Sequence, residues 1–364
     1  MTASVVVVGG GIMGCACAWE LVRHGLSVVL FERSVPGAEA SSAAAGILGT
    51  GVEHREDGPL ARLARESRRL YPAFVRDLVR STGIDPEYRE CGVLKVEFRR
   101  RSKGPRARSV ARARAGERTF DGRALRRLEP SLSEKVSSGV LYPRDGRVNP
   151  RLLLRALHIA AGRDGVVFRT GAYVRRIVMK GDRADGIALD DGEVVRAKHV
   201  VVAAGSWTTL VEGTGLAAGA VVPARGQIVE IETPEPLLRR VIYGPDAYLV
   251  PRDDGRVLVG STLEFVGYRR EVTAGAVHDL LGAAIRLVPA LRAAEYRSSW
   301  SSFRPYTKSE LPLIGTTAVS GLVLATGHYR NGILLAPVTA AIVGALVRGA
   351  KPPVSLSAFS PESR

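Results

Sequence analysis

Three glycines near the start of the chain carry its clearest chemical signature. Gly9, Gly11 and Gly14 have the spacing G-x-G-x-x-G. The run Ser4 to Val8 before them is rich in β-branched residues and reads as a buried strand. Residues 15–24 read as a helix stopped by Gly25, and Ser27 to Phe31 as a second strand closed by Glu32. Strand, glycine turn, helix, strand and acid in this order form a dinucleotide-binding unit. Gly9 allows the tight turn, Gly11 lets backbone approach a pyrophosphate, and Gly14 lets helix and strand pack closely. Ile12 and Met13 open the helix, whose free N–H groups and dipole favour phosphate. Glu32 is placed to accept ribose hydroxyls, with Arg33 beside it.

A second segment, Gly327 to Pro337 (GHYRNGILLAP), repeats this logic, since it follows the apolar strand 322–325 and opens a helix. Backbone N–H groups near Asn331, Gly332 and Ile333 would face an electron-rich group. Two such sites in one sheet suit a ligand with two ends. FAD has them: a pyrophosphate, and a flavin edge that gains negative charge on reduction. A plain NAD dehydrogenase would not need the second site.

The elements that must position these residues can be read from periodicity. Apolar positions from Leu60 to Val79 make a helical stripe, interrupted by Ser67 and followed by Gly83. Asn149 and Pro150 open a helix through Ala161. Residues 166–196 read as short strands, and a helix is expected from Thr273 to Val288. The apolar strands at 4–8, 27–31, 200–204 and 322–325 are expected in one sheet. The alternating strands at 93–98, 227–231 and 248–260 are expected in another with one open face. The fold class is therefore mixed α/β: a Rossmann-like FAD-binding domain interleaved with a substrate domain on a mixed or antiparallel sheet. The expected division gives 1–84, 145–215 and 312–364 to the FAD-binding domain, and 85–144 and 216–311 to the substrate domain.

Composition bounds the partners. The chain has 364 residues, 46% of them hydrophobic, and a formal net charge of +16 carried mostly by arginine. Its densest basic stretch, 99–127, reads either as a nucleic-acid or acidic-membrane patch or as a solvated connector. No aromatic residue lies between Arg99 and Thr119 and no nucleic-acid motif accompanies it, so nucleic acid is not expected as a partner. The apolar run Gly332 to Val347 is short for a membrane span and contains Pro337, so no transmembrane segment is expected. No signal peptide is read at the N-terminus. Cys15, Cys17 and Cys91 make neither a disulfide framework nor a zinc spacing, and the six histidines show no metal spacing. A reducing cytoplasm and no metal are expected.

The ordered segments VVVVGGGIMGCACAWEL, GAEASSAAAGILG, YRECGVLKVEF, RVNPRLLLRAL, KHVVVAAGSW, DAYLVPRDDGRVLVGSTLE, RPYTKSELPLIG and GHYRNGILLAP resemble the D-amino-acid oxidase superfamily of FAD enzymes, and within it the glycine-oxidase branch that serves thiazole synthesis in thiamin formation. That resemblance spans the chain and implies roles. Ser41, Ser42, Ala45 and Gly46 would line the pyrophosphate and flavin edge. Val174 would contact adenine, Ala204 and Gly205 would lie near the ribityl chain, and Trp207 would belong to the cofactor site. Arg304, in R-P-x-T, would clamp the substrate carboxylate as a planar fork. Tyr248 would add a hydroxyl donor, and Arg330 would join the same pocket. His328 would pack beside the flavin or transfer a proton. No cysteine follows Cys91, so the covalent linkage of the sarcosine-oxidase branch is impossible and FAD would be non-covalent.

The implied reaction takes glycine or another small amino acid to the imine and 2-oxo acid, releasing ammonia and, with oxygen, hydrogen peroxide. Iminoglycine would pass to thiazole-synthesis enzymes, and a homo-oligomer is expected. No histidine or carboxylate matched to the family stands out as an acceptor for the amine proton, so flavin reduction is expected to follow the free-amine fraction of the substrate. Two alternatives stay open: a D-amino-acid dehydrogenase or sarcosine-oxidase-like flavoenzyme with another acceptor or substrate, and an RNA-associated protein using the arginine block.

Overall fold

The computed structural model describes residues 2–53, 57–98 and 116–363. Most of the arginine-rich stretch, 99–115, lies outside the described residues, as does His54. The first sheet has eight strands. Its spine runs Leu313–Thr316, Leu322–Thr326, Val194–Val202, Thr2–Val8, Val28–Glu32, Val167–Thr170, and every neighbouring pair after the first is parallel. The four expected apolar strands are thus neighbours in one sheet. Strand Val194–Val202 is longer than its apolar end suggests. Its first residues, 194–196, pair with the antiparallel strand Arg183–Leu189, and only 200–202 run beside both parallel neighbours.

The second sheet also has eight strands, ordered Glu295–Tyr306, Val222–Glu232, Arg256–Gly260, Tyr248–Pro251, Val241–Tyr243, Val93–Phe98, Val136–Tyr142, Arg118–Asp121. The expectation of an open face fails here. One face packs Leu94, Leu249 and Val259 against Leu280, Ala284 and Leu287 of the helix Ala274–Leu287. The other packs Val93, Ile228, Val250 and Leu258 with Ala45 and Val52 from the nucleotide-binding side. The strand pattern alternates because it faces two interiors of different character, not because one face meets water.

The helix Gly332–Val347 is buried along most of its length among the first helix, Ile12–Arg23, and the helix Pro59–Thr82. The segment Tyr329–Val347 is long and apolar enough to cross a membrane, yet 78% of it is buried within the protein, as befits a core helix. Pro337 has no N–H to offer the Ile333 carbonyl one turn back. The buried Tyr71 hydroxyl donates to that oxygen at 3.1 Å. Ser67 donates to the Leu334 carbonyl at 2.6 Å and accepts from Val338 N at 3.4 Å. The one polar interruption in the 60–79 stripe therefore repairs a helix from a neighbouring element. Tyr71→Phe leaves the Ile333 carbonyl without this donor in a dry core. It is expected to cost about 1–3 kcal/mol, read as a lower urea midpoint with an unchanged slope; an unaltered midpoint would refute the repair.

Candidate active site

A cleft opens at the carboxyl ends of the parallel strands and reaches the inner face of the second sheet. Gly9 sits at φ 106°, where a Cβ would come within 2.6 Å of the Ala203 carbonyl oxygen. Gly11 is the N-cap of the first helix and offers no capping side chain; instead Ser41 Oγ accepts from Ile12 N at 2.9 Å. Glu32 accepts from Gly10 N at 2.7 Å and from Ser34 N at 3.0 Å, which aims the carboxylate along the cleft rim. Each carboxylate oxygen keeps a lone pair for a further donor such as a ribose hydroxyl. Gly14 lies behind the cleft, where a Cβ would overlap the Gly9 carbonyl.

Ala45 and Gly46 line the middle of the cleft. Their loop is pinned by buried Arg252, which donates to Ala45 O at 2.9 Å and Val148 O at 3.1 Å. Ser42 is not among the residues that line the cleft, and its carbonyl accepts from Arg151 Nε at 3.2 Å. Val174, Ala204, Gly205 and Trp207 all line the cleft. Arg33 lines it too, but its guanidinium lies 4.0 Å over the Trp207 ring and pairs with Glu39 at 2.6 Å.

The second glycine site meets the same cleft. Gly332 opens the core helix, and a Cβ there would meet nothing closer than 3.9 Å. This glycine leaves backbone open to the cleft, whereas Gly9 and Gly14 relieve contacts inside the protein. Met13 and Ile333 line the cleft beside it. Asn331 lies behind, buried, with its N–H donating to His328 O at 2.8 Å. His328 lines the cleft, but its Nε2 is 3.1 Å from Thr339 Oγ1 and burial pushes its pKa down to about 3. A neutral, internally bonded imidazole is a packing residue, which disfavours proton transfer by His328.

At the far end stands Arg304, on the strand Glu295–Tyr306. Its guanidinium donates to Ser261 Oγ at 2.6 Å and Thr262 O at 3.2 Å and lies over Gly226 of the adjacent strand. Tyr248 lines the cleft with Tyr243, their ring centroids 6.2 Å apart. Arg330 approaches from the second glycine site, its guanidinium 5.2 Å from the Tyr329 ring. Glu53, which no motif marks, also lines this end. Burial raises its pKa to about 7, with Arg330 and Arg304 opposing the rise and Asp145 adding to it. Its position depends on Asp145, which lies far away in sequence, so no local spacing could have revealed it. Among the described residues no group of three or more His, Cys, Asp or Glu side chains gathers to hold a metal.

These features suit a long ligand with an acid-seeking ribose at one end and a planar, electron-accepting edge at the other. Gly11 and Gly332 line one continuous cleft, as FAD requires. Comparison with known proteins agrees. The model of a family described as FAD dependent oxidoreductase matches residues 4–346. The glycine oxidase of Geobacillus kaustophilus is 35% identical over 98% of this chain and 96% of its own length. The bifunctional protein ThiO/ThiG of Trichormus variabilis is 36% identical over 99% of this chain but only 55% of its own length, so the chain spans about half of that relative. A crystal structure of glycine oxidase from Geobacillus kaustophilus superposes with a TM-score of 0.91 at 34% identity, covering 100% of this chain and 99% of that one. A crystal structure of iminodiacetate oxidase from Chelativorans sp. BNC1 gives 0.86 at 26% identity, covering 98% and 99%.

Proposed function

The chain belongs to the family of FAD dependent oxidoreductases, and from that premise we propose that it oxidises glycine, or a comparably small amino acid, to the imine and 2-oxo acid with release of ammonia and hydrogen peroxide. The observation that carries this reading is the meeting in one cleft of the nucleotide-binding glycines and the Arg304 guanidinium. Glu32, the Gly9–Met13 turn, Ser41, the Ala45–Gly46 loop, Val174, Ala204–Gly205 and the Gly332–Ile333 backbone would hold FAD. The cysteines support non-covalent binding: Cys15 and Cys17 are buried in the first helix, and Cys91 packs beside the second sheet. When bound, FAD supplies a two-electron acceptor that oxygen regenerates.

The protein aligns and desolvates the substrate. Arg304 offers its fork to the carboxylate, already oriented by Ser261 and Thr262. Tyr248 adds a donor from the hairpin Tyr248–Gly260. Arg330 places a second positive charge at the same end. A small amino acid suits the crowding by Tyr243, Tyr248 and Arg330. The likeness to ThiO/ThiG supports a role in supplying iminoglycine to a thiazole-forming partner, and a cytoplasmic setting belongs to the same proposal. A homo-oligomer is part of the same proposal.

The test is a peroxide assay of the yellow, purified protein against glycine, sarcosine, D-alanine and D-proline. Glycine is expected to give turnover with stoichiometric peroxide. Reduction of an artificial acceptor without peroxide under air would favour a dehydrogenase, and no turnover with any of the four would refute the proposal.

A further inference from the structure

Glycine brings two charges into the cleft, and Arg304 answers only one of them. The cleft-lining charged residues are Glu32, Arg33, Glu39, Glu53, Arg304 and Arg330. The first three stand at the nucleotide end, where Glu32 holds Gly10 N and Glu39 pairs with Arg33 and Arg270. At the substrate end Glu53 is therefore the one carboxylate among the described cleft-lining residues. Resting on the amino-acid oxidase reading above, we propose that Glu53 is a catalytic residue that meets the substrate ammonium and accepts its proton before oxidation.

Glu53 is held for such a role by the residues before it. Buried Asp145, in the turn joining the strands Val136–Tyr142 and Gly146–Arg147, accepts from Thr50 Oγ1 at 2.7 Å, Gly51 N at 2.8 Å and Val52 N at 2.9 Å. Arg68, from the helix Pro59–Thr82, donates to Thr50 Oγ1 and lies 3.7 Å from Asp145. Three consecutive residues are thus stapled to the second sheet, and Glu53 follows as the chain turns into the cleft.

The charges close around it. Arg304 comes from the strand Glu295–Tyr306, Arg330 from the turn before the core helix, Tyr243 from the strand Val241–Tyr243, and Asp145 from behind. With glycine bound, two guanidinium groups face two carboxylates, that of Glu53 and that of the substrate. The ammonium is one positive charge in excess, so its proton is the one the site disfavours. The step balances simply. An N–H bond of the ammonium breaks, an O–H bond forms on Glu53, the nitrogen keeps its lone pair, and the proton later passes to solvent. The acceptor must be ionised beforehand. Since burial holds the Glu53 pKa near 7, the reaction gains as pH rises through that value, well before free glycine loses its proton.

The experiment is anaerobic reduction of the FAD-loaded protein by subsaturating glycine across pH, in the native chain, Glu53→Gln and Glu53→Asp. Binding of acetate, a carboxylate without an amine, is followed by its effect on the flavin spectrum. The native chain is expected to show an inflexion near pH 7. At neutral pH Glu53→Gln is expected to slow reduction by about 10²–10³-fold, to lose the inflexion, and to approach the native rate where glycine is already a free amine. Glu53→Asp keeps the inflexion at an intermediate rate. Acetate binding and FAD content stay unchanged in both, which separates lost chemistry from lost fold. Native-like rates and pH dependence in Glu53→Gln would overturn the role of Glu53 while leaving the oxidase reading intact. A native flavin that glycine never reduces would overturn both.

Discussion

Arg304→Lys is expected to raise the KM for glycine by about 10- to 150-fold while leaving FAD content unchanged. The guanidinium is held by Ser261 Oγ and Thr262 O, so its remaining N–H groups present a fork fixed in orientation. Lysine offers one compact charge on a flexible stem and cannot reproduce two parallel bonds to a carboxylate. The loss is that of a hydrogen bond to a charged group, about 1.5–3 kcal/mol, and each 1.4 kcal/mol is tenfold in affinity. Steady-state kinetics with glycine, beside flavin absorbance per polypeptide, checks both halves. Unchanged glycine kinetics would remove Arg304 from the carboxylate site. A colourless protein would show that its main service is to the cofactor.

The second large effect comes from a residue with no side chain. A Cβ on Gly226 would overlap the Arg304 guanidinium, which lies directly over this glycine. Gly226 is in an extended strand, so alanine suits its backbone; what must move is the far end of a long, flexible side chain. Gly226→Ala is therefore expected to leave the melting temperature close to native while the guanidinium shifts by roughly an ångström. Misplacement on that scale costs about 10²-fold in catalysis. The measurement is kcat/KM for glycine set against thermal unfolding of the same preparation. Collapse of stability would mean that the strand yields rather than the arginine, and native kinetics would mean that the guanidinium reaches its place without this gap.

Gly226 also marks a boundary in what the chain discloses. G-x-G-x-x-G declares itself because its constraints are local: a turn, a helix start and an acid one strand away all lie within about thirty residues. The same holds for the Gly332 site, for the apolar parallel strands, and for the Asn149 cap, whose side chain accepts from Arg151 N and Leu152 N. Gly226 instead sits in a strand of ordinary appearance, and its purpose is to make room for a residue on the neighbouring strand. Ser67 looked like a flaw in an apolar stripe until Pro337 was seen across the interface. The alternating strands looked half-exposed because periodicity reports that two faces differ, and both proved to be covered.

The amino-acid sequence by itself thus determined the nucleotide-binding elements, the sheet that carries them, and the family to which Arg304 and Tyr248 are matched, because these depend on short-range spacing and on side-chain types in order. Tertiary structure alone decided which charges share the cleft. It buried His328 against Thr339 and so made it neutral. It turned Arg33 toward Trp207 and Glu39. It brought Glu53 into the company of Arg304 and Arg330 through Asp145, a residue more than ninety positions later. Electrostatic character depends on distance and burial in space, and neither can be read from separation along the chain.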